Sequence, residues 1–193
     1  RGMAEMDEKP MGNATATLFD GSTQVKSVQT GADGTFTFRL EANKNYTVEV
    51  SRSGLVTKKI SFNTTLPDEE TGKWVSEFGM VMVRPCEGVD YSLLDKPVDI
   101  VKFNARRRSF ESDKDYNEQM MPKLQEINIK SANCLQDKYN QLIDKAETLY
   151  EHQSNLEKRI AEVRQQIKSL EGRLANEGYV DKAPAELVEE SRD

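Results

Sequence analysis

The chain has 193 residues, 36% of them hydrophobic and 31% charged, with a formal net charge of -6. That length accommodates one ordinary domain with an extension, or two small domains. The composition fits a modest core joined to a solvated segment, and the acidic balance argues against a nucleic-acid or anionic-membrane surface. No apolar run approaches the ~20 residues that a membrane-spanning helix requires, and no charged-then-apolar leader is read here. The opening at Arg1 reads as a processed or trimmed end.

Residues 12–84 read as strands. Residues 13–19 alternate small or apolar side chains with threonine, and Asp20-Gly21 follows as a turn. In residues 23–30 the offset between Val25 and Val28 breaks strict alternation and suggests a bulge. After the turn at 31–34, residues 35–40 put Phe36, Phe38 and Leu40 on one face, and residues 46–50 do the same with Tyr46, Val48 and Val50. Residues 54–62 and 78–83 complete the set, separated by the acidic loop Asp68-Glu69-Glu70. Short strands at regular spacing between Gly, Asn and Asp turns predict a small antiparallel β-sandwich over 1–84.

Residues 85–112 read as a connector punctuated by Pro85, Gly88 and Pro97, in which 98–103 add an edge strand or pack along the sandwich. The run Arg106-Arg107-Arg108 is expected to be solvated rather than a phosphate site. A long helix is expected over 113–178, capped by Ser112 or Asp113, with Pro122 implying a kink or a restart. Gly178 is a candidate left-handed cap, and residues 179–193 read as a turn and a short second helix beginning after Pro184.

The strongest pattern lies inside that helix. Leu135, Tyr139, Leu142, Ala146, Leu149, Gln153, Leu156, Ile160, Val163, Ile167, Leu170 and Leu174 follow one another at alternating gaps of four and three. This is the seam of a coiled coil over 135–174, some ~60 Å of helix at ~1.5 Å per residue. With Leu135 at position d, leucine dominates d, and a carries Tyr139, Ala146, Gln153, Ile160, Ile167 and Leu174. Leucine at d with β-branched residues at a favours two strands, and Gln153 is the kind of polar residue that fixes register. Ile143 and Tyr150 widen the apolar stripe at its start, so that part is expected to pack on the sandwich, on residues 113–130 or in a larger bundle. The seam predicts association with itself or with another protein, against the alternative of a helix folded back within its own chain.

No phosphate loop, metal-binding His-Glu motif or Cys-x-x-Cys is found. A single histidine, His152, leaves no nucleophile–base pair, so no catalytic, cofactor or metal site is assigned and no enzyme is expected. Cys86 and Cys134 are expected to be free thiols, with Cys134 on the outer flank of the helix, and a bridge between them is left open. Trp74 is expected in a core or edge-covering role, against an aromatic platform with Tyr46 and Phe78.

Two stretches carry resemblances. Lys9-Pro10, residues 14–18 (ATATL), 31–38 (GADGTFTF) and 46–54 (YTVEVSRSG) resemble the carboxypeptidase-regulatory-like family, over roughly 2–110. The resemblance implies a transthyretin-like (Ig-like) sandwich of the kind found in envelope proteins of Gram-negative bacteria, non-catalytic, with an adhesive or scaffolding role. The family's first strand usually precedes the glycine matched by Gly2, and it reads as absent or clipped. Residues 170–188 (LEGRLANEGYVDKAPAELV) are similar to the coiled-coil arm of valyl-tRNA synthetases, over about 155–193. That arm is an antiparallel hairpin that supports tRNA, with residues 176–184 at its tip.

The expectation is therefore an α+β chain, a small β-sandwich followed by a long coiled-coil helix. It would act as a scaffold or binding subunit of a periplasmic, outer-membrane-associated or secreted assembly, meeting an envelope protein through the sandwich. The alternative is a tRNA-contacting arm of a synthetase-like or fused protein.

Overall fold

In a computed structural model, residues 1–176 are described together with Gly178, Pro184, Ala185 and Glu189. The chain forms two compact units, Arg1–Asp137 and Lys138–Asp193. The expected turn and short second helix over 179–193 lie almost wholly outside the described residues.

The first unit is built on two sheets. In the smaller one, β1 (Gly2–Met6) pairs in parallel with β8 (Phe78–Val81) on one side. On its other side it pairs antiparallel with β5 (Thr35–Phe36) and β2 (Lys9–Pro10). The larger sheet has the order β10-β9-β7-β6-β3-β4. Its strands are β3 (Thr15–Asp20), β4 (Thr23–Gln29), β6 (Asn45–Ser51), β7 (Lys58–Asn63), β9 (Asp99–Asn104) and β10 (Ser109–Ser112). All its pairings are antiparallel except that of β7 with β9.

Alternation decides which side chains enter the core. Along β6, Tyr46, Val48 and Val50 are buried, and along β7 Lys58, Ile60 and Phe62 are buried. They meet Ala4, Phe36 and Met80 from the smaller sheet, and Met82 just after its last strand. The bulge expected near Val25 is present: Leu18 faces Lys26 while Phe19 faces Gln24, which leaves Val25 as the extra residue of β4.

Two elements depart from the sequence reading. Gly2–Met6 is a strand although it does not read as one, because it is held at the centre of the smaller sheet by strands distant in sequence. A Cβ at Gly2 would lie 2.3 Å from Phe36 Cζ, so the Phe36 ring takes the space of a side chain there. The second departure is β9. It is an interior strand flanked by β7 and β10, and β10 forms the sheet's edge.

The turn at Gly31–Gly34 ties the layers together. Gly34 has φ +72, and its carbonyl accepts from Ala4 N–H at 2.9 Å. Asp33 Oδ1 accepts from Thr35 N–H at 3.1 Å and Thr35 Oγ1 at 2.8 Å, which holds its carboxyl below the usual carboxylate range.

A single helix, α1, runs over Lys114–Leu174. Asp113 caps it: its Oδ1 accepts from Tyr116 N–H at 3.3 Å. There is no restart at Pro122. The ring lies on an exposed position, where the Glu118 carbonyl deprived of its helical donor is free to bond water.

Candidate interaction seam

Within the first unit, α1 is fastened to the sandwich by one face. Met120, Ile127 and Ser131 are buried on it, and Leu124, Cys134 and Leu135 are half-buried. Tyr116 Oη donates to the Pro97 carbonyl at 2.5 Å, just after the 3-10 turn Ser92–Asp95. Three helical turns beyond Met120, Ser131 is only 1% exposed. Its Oγ donates to the Arg84 carbonyl at 2.7 Å and accepts from Tyr91 Oη at 2.9 Å. Tyr91 Oη in turn accepts from the Cys86 N–H at 3.0 Å. These bonds leave the polar groups at this contact paired, as burial demands.

Beside that network Cys86 and Cys134 form a disulfide with their Cα atoms 6.2 Å apart. The expectation of free thiols is overturned. So is the placement of Cys134 on an outer flank, because it lies on the same helix face as Ile127 and Ser131, seven and three residues earlier. Neither cysteine sits in a spacing motif, so only the tertiary arrangement brings them together.

In the second unit the face changes. The three-four series of buried and half-buried residues Met120, Leu124, Ile127, Ser131 and Cys134 continues in sequence into Lys138, Gln141 and Lys145, which are polar. The apolar residues of the seam take other positions, and those from Tyr139 to Ile167 are exposed. Leu149 is 69% exposed, Leu156 46%, Ile160 51% and Ile167 49%. Tyr139, Leu142 and Val163 are exposed large hydrophobics as well, and Ala146 and Gln153 are exposed. Leu170 and Leu174 are half-buried. Ile143 and Tyr150, expected to pack on the sandwich, on residues 113–130 or in a larger bundle, are exposed in the single chain. Gln153 Nε2 donates to Glu157 Oε1 at 3.0 Å, one turn on.

Other candidate residues resolve into structural roles. Trp74 does not join Tyr46 and Phe78. It stacks edge-on with Phe103 and Phe110, at centroid distances of 5.5 and 6.2 Å, and so covers the β9–β10 hairpin. Phe78 instead packs on Phe36 and Phe62. Of the three arginines, Arg108 makes a bidentate pair with Glu70 and Arg107 pairs with Glu111 at 3.4 Å. The acidic loop therefore serves as an ion-pair partner at Glu70. Among the described residues no group of three or more His, Cys, Asp or Glu is placed to hold a metal ion. Nor is any helix among them long and apolar enough to cross a membrane.

Sequence reading missed Lys58. It is 5% exposed on the inward face of β7, and its Nζ donates to the Val81 carbonyl at 2.6 Å. Burial without a facing carboxylate pushes the ammonium down to about 8. The inward series Lys58, Ile60, Phe62 was the available signal, but lysine is almost never assigned to a core from sequence.

Comparison with known proteins agrees with both resemblances. Residues 4–73 match the carboxypeptidase regulatory-like domain, which spans β1 to the loop before Trp74. Residues 148–193 match the valyl tRNA synthetase tRNA binding arm. A valine--tRNA ligase of Prochlorococcus marinus (strain NATL2A) is 54% identical over 39 residues, 20% of this chain. The aligned part is 4% of that ligase's length. The chain thus joins a sandwich segment similar to the carboxypeptidase regulatory-like domain to a helical segment similar to the tRNA-binding arm of valyl-tRNA synthetases.

Proposed function

We propose that this chain is a non-catalytic scaffold or binding subunit of a bacterial cell-envelope or secreted assembly, multimerising or docking through its helix. The observation that carries the reading is the Cys86–Cys134 disulfide, which staples the start of the helix to the sandwich. Structural disulfides persist in oxidising compartments such as the periplasm and the extracellular space. The match of residues 4–73 supports a sandwich module of that setting. The exposed heptad seam supports an assembly role, because uncovered leucines at four-three spacing are stable in water only against a partner helix. The sandwich would meet an envelope partner, and no bond is made or broken.

A second reading, contact with tRNA through the helix, rests on the match of residues 148–193. Lys158, Arg159, Arg164, Lys168 and Arg173 lie on the arm, but Glu157, Glu162 and Glu171 interleave with them. That mixture suits a solvated coiled coil better than a phosphate track.

The test uses the oxidised full chain. Light scattering after size exclusion, on wild type and Leu156→Lys, reads assembly through the seam. A gel shift with tRNA at low salt reads the alternative. A mass above the monomer that falls in the variant is the result expected of the multimerising form, and a monomer that gives no tRNA shift is the result expected of the docking form. A salt-sensitive tRNA shift with an unassembled chain would transfer the proposal to the second reading.

A further inference from the structure

The seam's two flanks differ in chemistry. With Leu135 at d, the g positions of the second unit read Lys138, Lys145, His152, Arg159, Gln166 and Arg173, with no carboxylate in the row. Lys145, Arg159 and Arg173 make no ion pair with a carboxylate among the described residues. Lys114–Glu118 and Lys130–Glu126 are ion pairs of the same helix that precede this unit. The opposite flank starts apolar with Ile143 and Tyr150 and continues Glu157, Arg164, Glu171.

This asymmetry argues against a second copy of the chain as the occupant. In an antiparallel pair, g faces g, and the basic row would meet itself along its whole length. In a parallel pair, each g residue meets the e residue five positions on. His152 would then meet Glu157, Arg159 would meet Arg164, and Lys145 would meet Tyr150. The one attraction is offset by one repulsion, so self-pairing draws no net charge gain from the row. A partner that lines the same edge with carboxylates pairs with Lys145, Arg159 and Arg173 at once.

We infer that the seam is built for a helix of a different chain, one with a leucine/isoleucine seam and a glutamate- or aspartate-rich flank against Lys145, His152, Arg159 and Arg173. The inference rests on the docking form of the function proposed above and names the partner's chemistry. Charge on coiled-coil flanks sets partner choice more than affinity, so the signature is selectivity between otherwise identical helices.

Two designed peptides of five heptads serve as probes. Both carry leucine and isoleucine seams; one has glutamate at every e and g position, the other lysine. Like charges on both flanks keep each peptide from pairing with itself. Binding to the oxidised full chain is measured by fluorescence anisotropy at low and high salt. The self-association mass is measured in parallel. The glutamate peptide is expected to bind tighter by on the order of tenfold at low salt, as a few exposed pairs would give, with a smaller margin at high salt. Lys145→Glu, Arg159→Glu and Arg173→Glu together should reverse the preference, and the three glutamine substitutions should abolish it. All these residues are exposed, and an unchanged thermal melt checks that the fold is retained.

Equal binding of the two peptides, or a preference that survives the reversal, overturns the inference. If that binding is still lost in Leu156→Lys, the docking function stands without it. If neither peptide binds while the chain forms a seam-dependent oligomer, the inference falls and the multimerising function stands. If neither binds and the chain is monomeric, both fall. A tRNA complex lost on charge reversal, with no peptide bound, likewise overturns the inference.

Discussion

Cys86 and Cys134 stand 48 residues apart in sequence and are bonded to each other, one before the 3-10 turn and the other on the sixth turn of α1. The bond closes a loop that contains Tyr91, the β9–β10 hairpin and the first third of the helix. Ser131, one turn before Cys134, lies in the same contact and bonds the Arg84 carbonyl.

Closing a loop of this size is worth about 4 kcal/mol at 25 °C by the chain-entropy argument. Replacing both cysteines by serine is therefore expected to lower the stability of the first unit by roughly 2–4 kcal/mol. Urea unfolding of the two forms, followed by Trp74 fluorescence, reads the difference. A shift of the midpoint below ~0.5 kcal/mol equivalent would mean that the polar network and Met120 and Ile127 hold the helix without the bond.

Gly34 permits no side chain. Its φ of +72 is unfavourable for L-residues, and a Cβ would come within 2.4 Å of the Ala4 carbonyl oxygen. Gly34→Ala is expected to cost about 2–4 kcal/mol, from the left-handed backbone and the overpacking together. Thermal melting of the variant checks this, and an unchanged midpoint would show that β1 can move aside.

Lys58 makes stability depend on pH. Burial holds its ammonium at about 8 against an ordinary value of 10.5. Between those two values the unfolded chain binds more protons at this site than the folded one, so its contribution to stability rises with pH across that window. Below pH 8 both states are protonated, and the folded state bears the full cost of the buried charge. Lys58→Met is expected to flatten the rise between pH 8 and 10.5. The comparison is the difference between the two proteins' urea midpoints at each pH, because tyrosines and other lysines titrate in the same range. Parallel curves would show that Lys58 reaches solvent.

Leu156 lies on the exposed seam, so its replacement should leave the first unit alone. Leu156→Lys is expected to change that unit's stability by less than ~0.5 kcal/mol. At the same time it should abolish helix-mediated association. Denaturant unfolding and scattering mass on the same sample separate the two effects, and a loss of both would mean that the seam also supports the fold.

Local periodicity was legible in the chain itself. The two-residue alternation of Tyr46, Val48 and Val50, the offset at Val25 and the cap at Asp113 appear as read. Each depends on neighbours a few residues away, which set the period and the backbone geometry.

What the fold alone decided is long-range pairing. Nothing local marks Gly2–Met6 as the partner of Phe78–Val81, or Asp99–Asn104 as an interior strand beside Lys58–Asn63. The same holds for the Cys86–Cys134 bond, for Trp74 meeting Phe103 and Phe110, and for the burial of Lys58. A parallel pairing or a disulfide joins residues tens of positions apart, and its free energy depends on which surfaces the folded layers bring together. The seam stands between these cases. Its spacing is written in the sequence, but that it stays uncovered while another face of the same helix is fastened to the sandwich is a property of the tertiary structure.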